Sequence, residues 1–338
     1  MKTEKNRSWL LLISLIGLIL AAACGGPAAT PTARPPDKVS LQLQWVTQAQ
    51  FAGYYVALDK GWYLEEGIDL TIAPGGPDIT PVDLVAAGTR SFGTTLLADL
   101  AVAVQKGKPV VSIAQIQQQN GLILVAFKSS GIAGPQNLRG NKVGVWLGSW
   151  EAQFHALMAQ EGLASGDYTL VSQGYSMDAF LRGELDVASA MRYNEYHTVL
   201  ESGVKAEELN IIDYADYGLG FPGDTLFTSR RLAEENPDLC LRMVRASLRG
   251  WQYAIDHPEE AADIVLKYDT TGTQTRAHQL TMMQEIARLV KPAGSALGYA
   301  DEAAVQAMLD LLLEYDVLAG PVQAEDVWNS AFWKAANP

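Results

Sequence analysis

The residues of this sequence best suited to chemistry are aromatic rings set beside amides, and they gather where a predicted strand gives way to a predicted helix. Gln44 and Trp45 close one such strand and are followed by Gln48, Gln50, Tyr54 and Tyr55. Thr94 and Thr95 stand at a second junction, placed to cap the helix opening near Leu96 while presenting a hydroxyl. Trp146-Leu147-Gly148-Ser149-Trp150-Glu151 sets two indoles beside a small-residue turn, and Arg192-Tyr193-Asn194-Glu195-Tyr196 forms the fourth junction. A glutamine run, Gln115, Gln117, Gln118 and Gln119, lies between them. Indole and phenol rings stack on heteroaromatic faces for about 1 kcal/mol beyond area burial. Gln, Asn, Thr and Glu read ring nitrogens and exocyclic groups by hydrogen bonds. The combination suits a planar, mostly neutral ligand.

Each assignment has a plainer rival. Tyr54 and Tyr55 are adjacent on a predicted helix, so at most one faces a cleft. Trp62 and Tyr63 read as core or surface cover. For Glu195 the rival is an ion pair with Arg192 on the same turn. Catalytic readings lack their parts. There is no GxSxG elbow and no GxxxxGK[ST] loop. His155, His197, His257 and His278 are scattered, without HExxH or a Cys/His cluster, so no metal site and no cofactor is expected. The letters of GxGxxG occur at Gly218–Gly223, but Pro222 and the surrounding loop do not suit a helix opening after a strand.

The elements that must position these residues alternate. VSLQLQWV reads as a strand, FAGYYVALDKGWYLEEG as a helix ending at Gly67, IDLTIAPG as a strand, PVDLVAAG as a helix, SFGTT as a strand and LLADLAVAVQKG as a helix. PVVSIAQI and LILVAFK are further strands. A second block runs NKVGVWLG, EAQFHALMAQEG, YTLVSQG, MDAFLRGE, VASAMR, NEYHTVLESG and LNIIDYADYG in the same alternation. This order implies an α/β fold with a largely parallel sheet. After about residue 225 the pattern is helical almost to the end.

The chain has 338 residues and a formal charge of −13, and loss of residues 1–23, with Lys2, Lys5, Arg7 and Glu4, takes it to −15. No basic run is present for phosphates, which argues against a nucleic-acid partner. Residues 9–23 form an apolar run after a basic flank, short for a membrane span and shaped as a secretory signal. Cys24 after Ala22-Ala23 resembles the lipobox of bacterial lipoproteins, with Ala21 where Leu is usual; lipidation of Cys24 would anchor the chain to the outer face of the cell membrane. The alternative is cleavage nearby with Cys24 removed or free. Residues 24–37 read as a Pro/Ala/Thr-rich tether. Cys240 then has no partner within the chain and reads as a small core residue.

Four segments carry a family resemblance: residues 42–70, FGTTLLADLAVAVQKGKPVVSIAQI, SSGIAGPQNLRGNKVGVWLG and AMRYNEY. They resemble bacterial solute-binding proteins related to thiamine-pyrimidine-precursor synthases, a group that includes riboflavin-binding members. The resemblance implies a type II periplasmic-binding-protein fold with two α/β lobes joined by two hinge strands. Lobe 1 would be 38–124, lobe 2 125–224, and 225–338 the return to lobe 1 with C-terminal helices. Linkers are then expected near Gly121–Leu124 and Phe221–Asp224, which adds Asp224 to the candidate ligand-binding residues. The implied role is capture of a flat heteroaromatic vitamin by a monomer that serves an ABC permease; an extracellular sensor without a transporter is the alternative. Pyrimidine-precursor members usually continue GVW with Gly-Gly-Asn-Glu, whereas this chain has Gly148-Ser149-Trp150-Glu151. The extra indole favours riboflavin over the pyrimidine. Synthase relatives use a cysteine-rich motif and a Schiff-base lysine; with Cys24 and Cys240 its only cysteines, the chain is expected not to be an enzyme.

Overall fold

A computed structural model of the chain describes residues 35–147 and 150–337, so Cys24, the leader, Gly148 and Ser149 lie outside the described residues. Among the described residues, ten strands form two five-stranded sheets. The first has the order β2-β1-β3-β10-β4, from β1 (Asp37–Gln42), β2 (Ile68–Ala73), β3 (Phe92–Leu96), β4 (Val110–Gln115) and β10 (Asp224–Ser229). The second has the order β7-β6-β8-β5-β9, from β5 (Leu122–Phe127), β6 (Lys142–Val145), β7 (Thr169–Ser172), β8 (Val187–Met191) and β9 (Leu209–Asp213). Each sheet has helices from the βαβ connections, and the result is a two-lobed α/β fold of the periplasmic-binding-protein kind.

Four of the five described strands in each sheet run the same way, in keeping with the expectation of a largely parallel sheet, and one in each is reversed. β1, β2 and β3 run parallel, as do β6, β7 and β8. β10 is antiparallel to β3 and β4, and β5 is antiparallel to β8 and β9. The reason is connectivity: a strand entered by a crossing from the other sheet needs no helical crossover and is free to run the opposite way. β10 corrects the reading of a helical tail from residue 225. Asp-Thr-Leu-Phe-Thr-Ser is buried throughout, with its hydroxyls satisfied locally: Thr225 donates to the Ala114 carbonyl (3.0 Å) and Thr228 to that of Ser91 (2.7 Å). The helices begin at Arg230.

The chain passes between sheets over residues 116–121 and 214–223, and these two crossings are bonded to each other. The amides of Ile116 and Gln117 donate to the Asp224 carbonyl (3.0 Å each), Gly223 N–H to the Gln117 carbonyl (3.0 Å) and Asn120 N–H to the Phe221 carbonyl (2.9 Å). A Cβ on Gly223 would lie 2.9 Å from Gln117 Cβ and 3.1 Å from the Gln119 carbonyl oxygen, so the missing side chain lets the two segments approach this closely.

The C-terminal helices cover the first sheet. Pro237–Asp256 buries Leu239, Cys240, Met243, Val244 and Trp251 on one face, with charged residues opposite. Cys240 is fully buried and burial pushes its thiol up to about 12, in keeping with a core role. This helix crosses Ala52–Asp59 at close range: a Cβ on Gly250 would lie 2.0 Å from the Gly53 carbonyl oxygen, and one on Gly53 would strike the Trp251 ring at 2.2 Å. Gly250→Ala should therefore destabilise by about 1–3 kcal/mol despite its better helix propensity. A thermal melt checks this, and an unchanged or raised midpoint would contradict the close crossing.

Candidate functional site

Beyond Gln42 the backbone continues in line with β1, held by Leu43 N–H to Ala73 O (2.9 Å), Gln44 N–H to Thr94 Oγ1 (3.0 Å) and Gly75 N–H to Trp45 O (2.8 Å). Gln44 and Trp45 are thereby fixed beyond the carboxyl end of the strand, where open α/β sheets place ligands. The second sheet answers with Trp146 and Trp150 after β6 and Tyr175 after β7. The Trp45 ring centroid lies 5.0 Å from Trp150, 5.0 Å from Tyr175 and 5.7 Å from Trp146, so one indole of the first lobe meets three rings of the second. Trp146 is oriented by donating Nε1–H to the Gly174 carbonyl (3.1 Å). Gly76 makes room for Tyr175, since a Cβ there would fall 2.0 Å from the phenol oxygen.

Beside these rings lies a buried polar group of residues at the crossings. Gln44 Nε2 donates to Asp224 Oδ1 (2.7 Å), while Gln44 Oε1 and Asp224 Oδ2 find no partner within the protein. Both amide atoms of Gln117, the Tyr193 hydroxyl and Trp150 Nε1 are likewise buried without partners. Leaving a buried polar atom unpaired costs about 1–3 kcal/mol, so the cluster combines donors and acceptors that the protein itself does not satisfy. Burial raises the Asp224 carboxyl to about 7 against the pull of its Gln44 hydrogen bond. Burial, then the nearby Asp224 and Glu195, holds the Tyr193 phenol well above its usual range.

Two cavities flank the rings. One, of about 860 Å³, is bounded by Gln44, Thr95, Asp99, Trp150, Glu151 and His155 among others. The other, of about 500 Å³, is bounded by Trp45, Gln48, Tyr175, Asn194, Glu195 and His278 among others. Asp99 reaches across from the first lobe to the amides of Ala152 and Glu151, and burial lifts its carboxyl to about 8. Glu195 accepts from the Met191 amide (2.8 Å) and from Asn194 Nδ2 (2.6 Å); burial nevertheless raises it to about 7. His278, on helix Arg276–Val290, bridges Asn194 Oδ1 (2.9 Å) and Glu201 (3.0 Å) of the second lobe.

The structure brings together Gln44, Trp45, Gln117, Trp150, Tyr193 and Asp224, and places Gln48, Asn194 and Glu195 on the smaller cavity and Thr95 on the larger. Others sit elsewhere. Thr94 receives the Gln44 amide, and neither threonine caps the following helix, Leu97–Gln105, whose first turn follows Leu96 directly. Tyr54 packs edge-on against Trp251 (5.7 Å), and Tyr55 bonds Thr47 (2.9 Å) and packs on Tyr268. Both are core residues bounding neither cavity. Arg192 pairs with Asp213 (2.5 Å), not with Glu195. Trp62 lies under Arg249 and Tyr63 bonds Ser247, as cover and core. Tyr175, Asp99 and His278 were missed. Tyr175 obeys the same strand-to-helix rule as the others; the remaining two carry no local signal.

Comparison with known proteins bears on this geometry. The family model described as NMT1/THI5 like matches residues 48–261. The riboflavin-binding protein RibY of Chloroflexus aurantiacus is 27% identical, covering 95% of this chain and 97% of its own. A formylaminopyrimidine-binding protein of Halalkalibacterium halodurans is 23% identical, over 96% and 99%. A 4-amino-5-hydroxymethyl-2-methylpyrimidine phosphate synthase of Legionella pneumophila is 30% identical, over 68% and 73%. Among solved structures, the ligand-binding component of an ABC-type import system from Staphylococcus aureus superposes with a TM-score of 0.68 at 13% identity, over 89% and 99%, a likeness of fold.

The three raised carboxyls fix a pH dependence. Each holds its proton in the folded chain above the pH at which the unfolded chain releases it, so between pH 5 and 8 the folded state binds more protons and stability falls as pH rises. His197, lowered by burial, works in the opposite sense around its unfolded value. Ion-paired Glu260 and Asp263 act only at lower pH. Urea midpoints for wild type and Asp224→Asn isolate one group: the variant should lose less stability than wild type between pH 5 and 8. Parallel curves would contradict a raised Asp224.

Proposed function

The chain belongs to the NMT1/THI5-like family, and on that premise we propose that it captures a flat heteroaromatic vitamin outside the cytoplasm and delivers it to an ABC permease, with riboflavin as the favoured ligand. The observation that carries this reading is the meeting of Trp45 with Trp146, Trp150 and Tyr175 across the cleft, beside unpaired amide, phenol and carboxyl groups. Rings on both sides suit a thin fused system that slides between them. Amides such as Gln44 and Gln117 complement an imide edge, with a carbonyl accepting its N–H and an NH₂ donating to its oxygens. RibY, related over nearly the full length of both chains, supports the same ligand class.

A thiamine pyrimidine precursor is the second reading. Its support is the Asp224 carboxyl at about 7, which in protonated form offers a donor and an acceptor to an aminopyrimidine edge. In either case the protein is a binder and not an enzyme. Cys240 is sealed in the core, and the chain lacks the cysteine-rich motif of the synthase relatives. Lipidation of Cys24 would hold this monomeric trap at the outer face of the cell membrane near its permease. Among the described residues no helix is long and apolar enough to cross a membrane.

Titration of riboflavin with the mature protein should quench flavin fluorescence with one-to-one stoichiometry. No quenching, together with binding of the hydroxymethyl aminopyrimidine, would overturn the choice of ligand. Trp45→Ala and Trp150→Ala should each weaken binding by about 2 kcal/mol, roughly thirtyfold, and Trp62→Ala by far less. Equal effects would remove the cleft assignment. Globomycin should block maturation, and an unmodified N-terminus downstream of residue 24 would exclude the anchor.

A further inference from the structure

The charges around the cleft are one-sided. Asp99 and Glu151 bound the larger cavity, Glu195 and Glu201 the smaller, and Asp224 stands between the lobes with one oxygen unpartnered. Cations are few and peripheral. Lys106 and Lys108, both exposed, stand at the margin of the larger cavity, with Asp83 and Asp316 on the same wall and Lys108 paired to Asp83 (2.9 Å). His155 lies 3.7 Å from Glu151, and His278 is shared between Asn194 and Glu201. Among the described residues, no arginine borders either cavity. Deep in the cleft the polar groups of the described residues are amides, a phenol and carboxyls, with no fork of donors that a phosphate needs among them.

We propose that this cleft rejects anions: it accepts the neutral or cationic, unphosphorylated form of its heteroaromatic ligand, and Asp99 and Asp224 are the specificity-determining residues that exclude its phosphomonoester. The inference rests on the vitamin-binding reading above and adds the charge state of the ligand. A phosphoryl group entering the larger cavity comes up against Asp99 and Glu151, and one entering the smaller against Glu195 and Glu201. Once those carboxyls are ionised, a phosphate meets charges of its own sign in a low-dielectric setting, where like charges interact strongly, so the exclusion is strongest above about pH 8. A hydroxyl in its place meets acceptors it can satisfy. Asp99 is the sharper barrier in the larger cavity because it already occupies the amides at the start of helix Ala152–Gln160, the position where an anion would otherwise be welcomed.

The test compares each vitamin with its own phosphate ester: riboflavin against riboflavin 5′-phosphate, and the hydroxymethyl aminopyrimidine against its phosphate, by calorimetry at pH 9, where the Asp99 and Asp224 carboxyls are ionised. The ester should bind at least about fiftyfold more weakly than the parent that binds, and Asp99→Asn or Asp224→Asn should narrow that gap at least about threefold. If a variant does not fold, the wild-type ratio decides. A parent and ester bound within threefold of each other, or a gap unchanged in folded variants of both residues, overturns the exclusion while leaving the vitamin reading standing. Failure of both parents to bind overturns the vitamin reading and the exclusion with it.

Discussion

The cleft depends on the bonded pair of crossings. Residues 116–121 and 214–223 are held edge to edge by backbone hydrogen bonds, and both lead directly into sheets whose carboxyl ends face the same gap. That pairing puts Trp45 opposite Trp150 although they belong to different sheets, and it brings Gln117, Asp224 and Tyr193 to one point. Two short segments tied to one another would bend together, so any relative motion of the lobes would be channelled into few degrees of freedom.

Two kinds of contact share the gap, and they do different work. The rings supply area and a preference for flat partners, but stacking discriminates weakly among flat partners. The amides and carboxyls contribute little net attraction, yet each leaves a penalty when mismatched, and such penalties separate related molecules. Raised carboxyls are the visible cost of burying acids away from water. The fold tolerates them because the core elsewhere is well packed, as in the close approach of Gly53 and Gly250.

Much of this was legible in the sequence. Trp45, Trp150 and Asn194-Glu195 follow predicted strands, and strand ends point into the gap for any α/β sheet. The order of elements was legible for the same reason, since period-2 and period-3.6 patterns are local. What escaped was non-local. β10 is a strand only because β3 and β4 stand ready on either side; Asp-Thr-Leu-Phe-Thr-Ser has too little alternation of its own. Asp99 and His278 gain meaning from partners in the other lobe, the His278–Asn194 contact spanning 84 residues. Tyr54 shows the converse error: an aromatic at a promising position was claimed by Trp251, from a helix nearly two hundred residues away.

The ring cluster also has a thermodynamic side. Trp45 meets Trp150 and Tyr175 at 5.0 Å with planes tilted by 49° and 47°, so a ligand ring would have to part these rings before stacking on them. The ring contacts within the protein are then the reference against which a ligand would be measured, its observed affinity being reduced by what it takes to open the cluster. A flat molecule that only replaces those contacts would gain little, and one that also completes the buried amides would gain most.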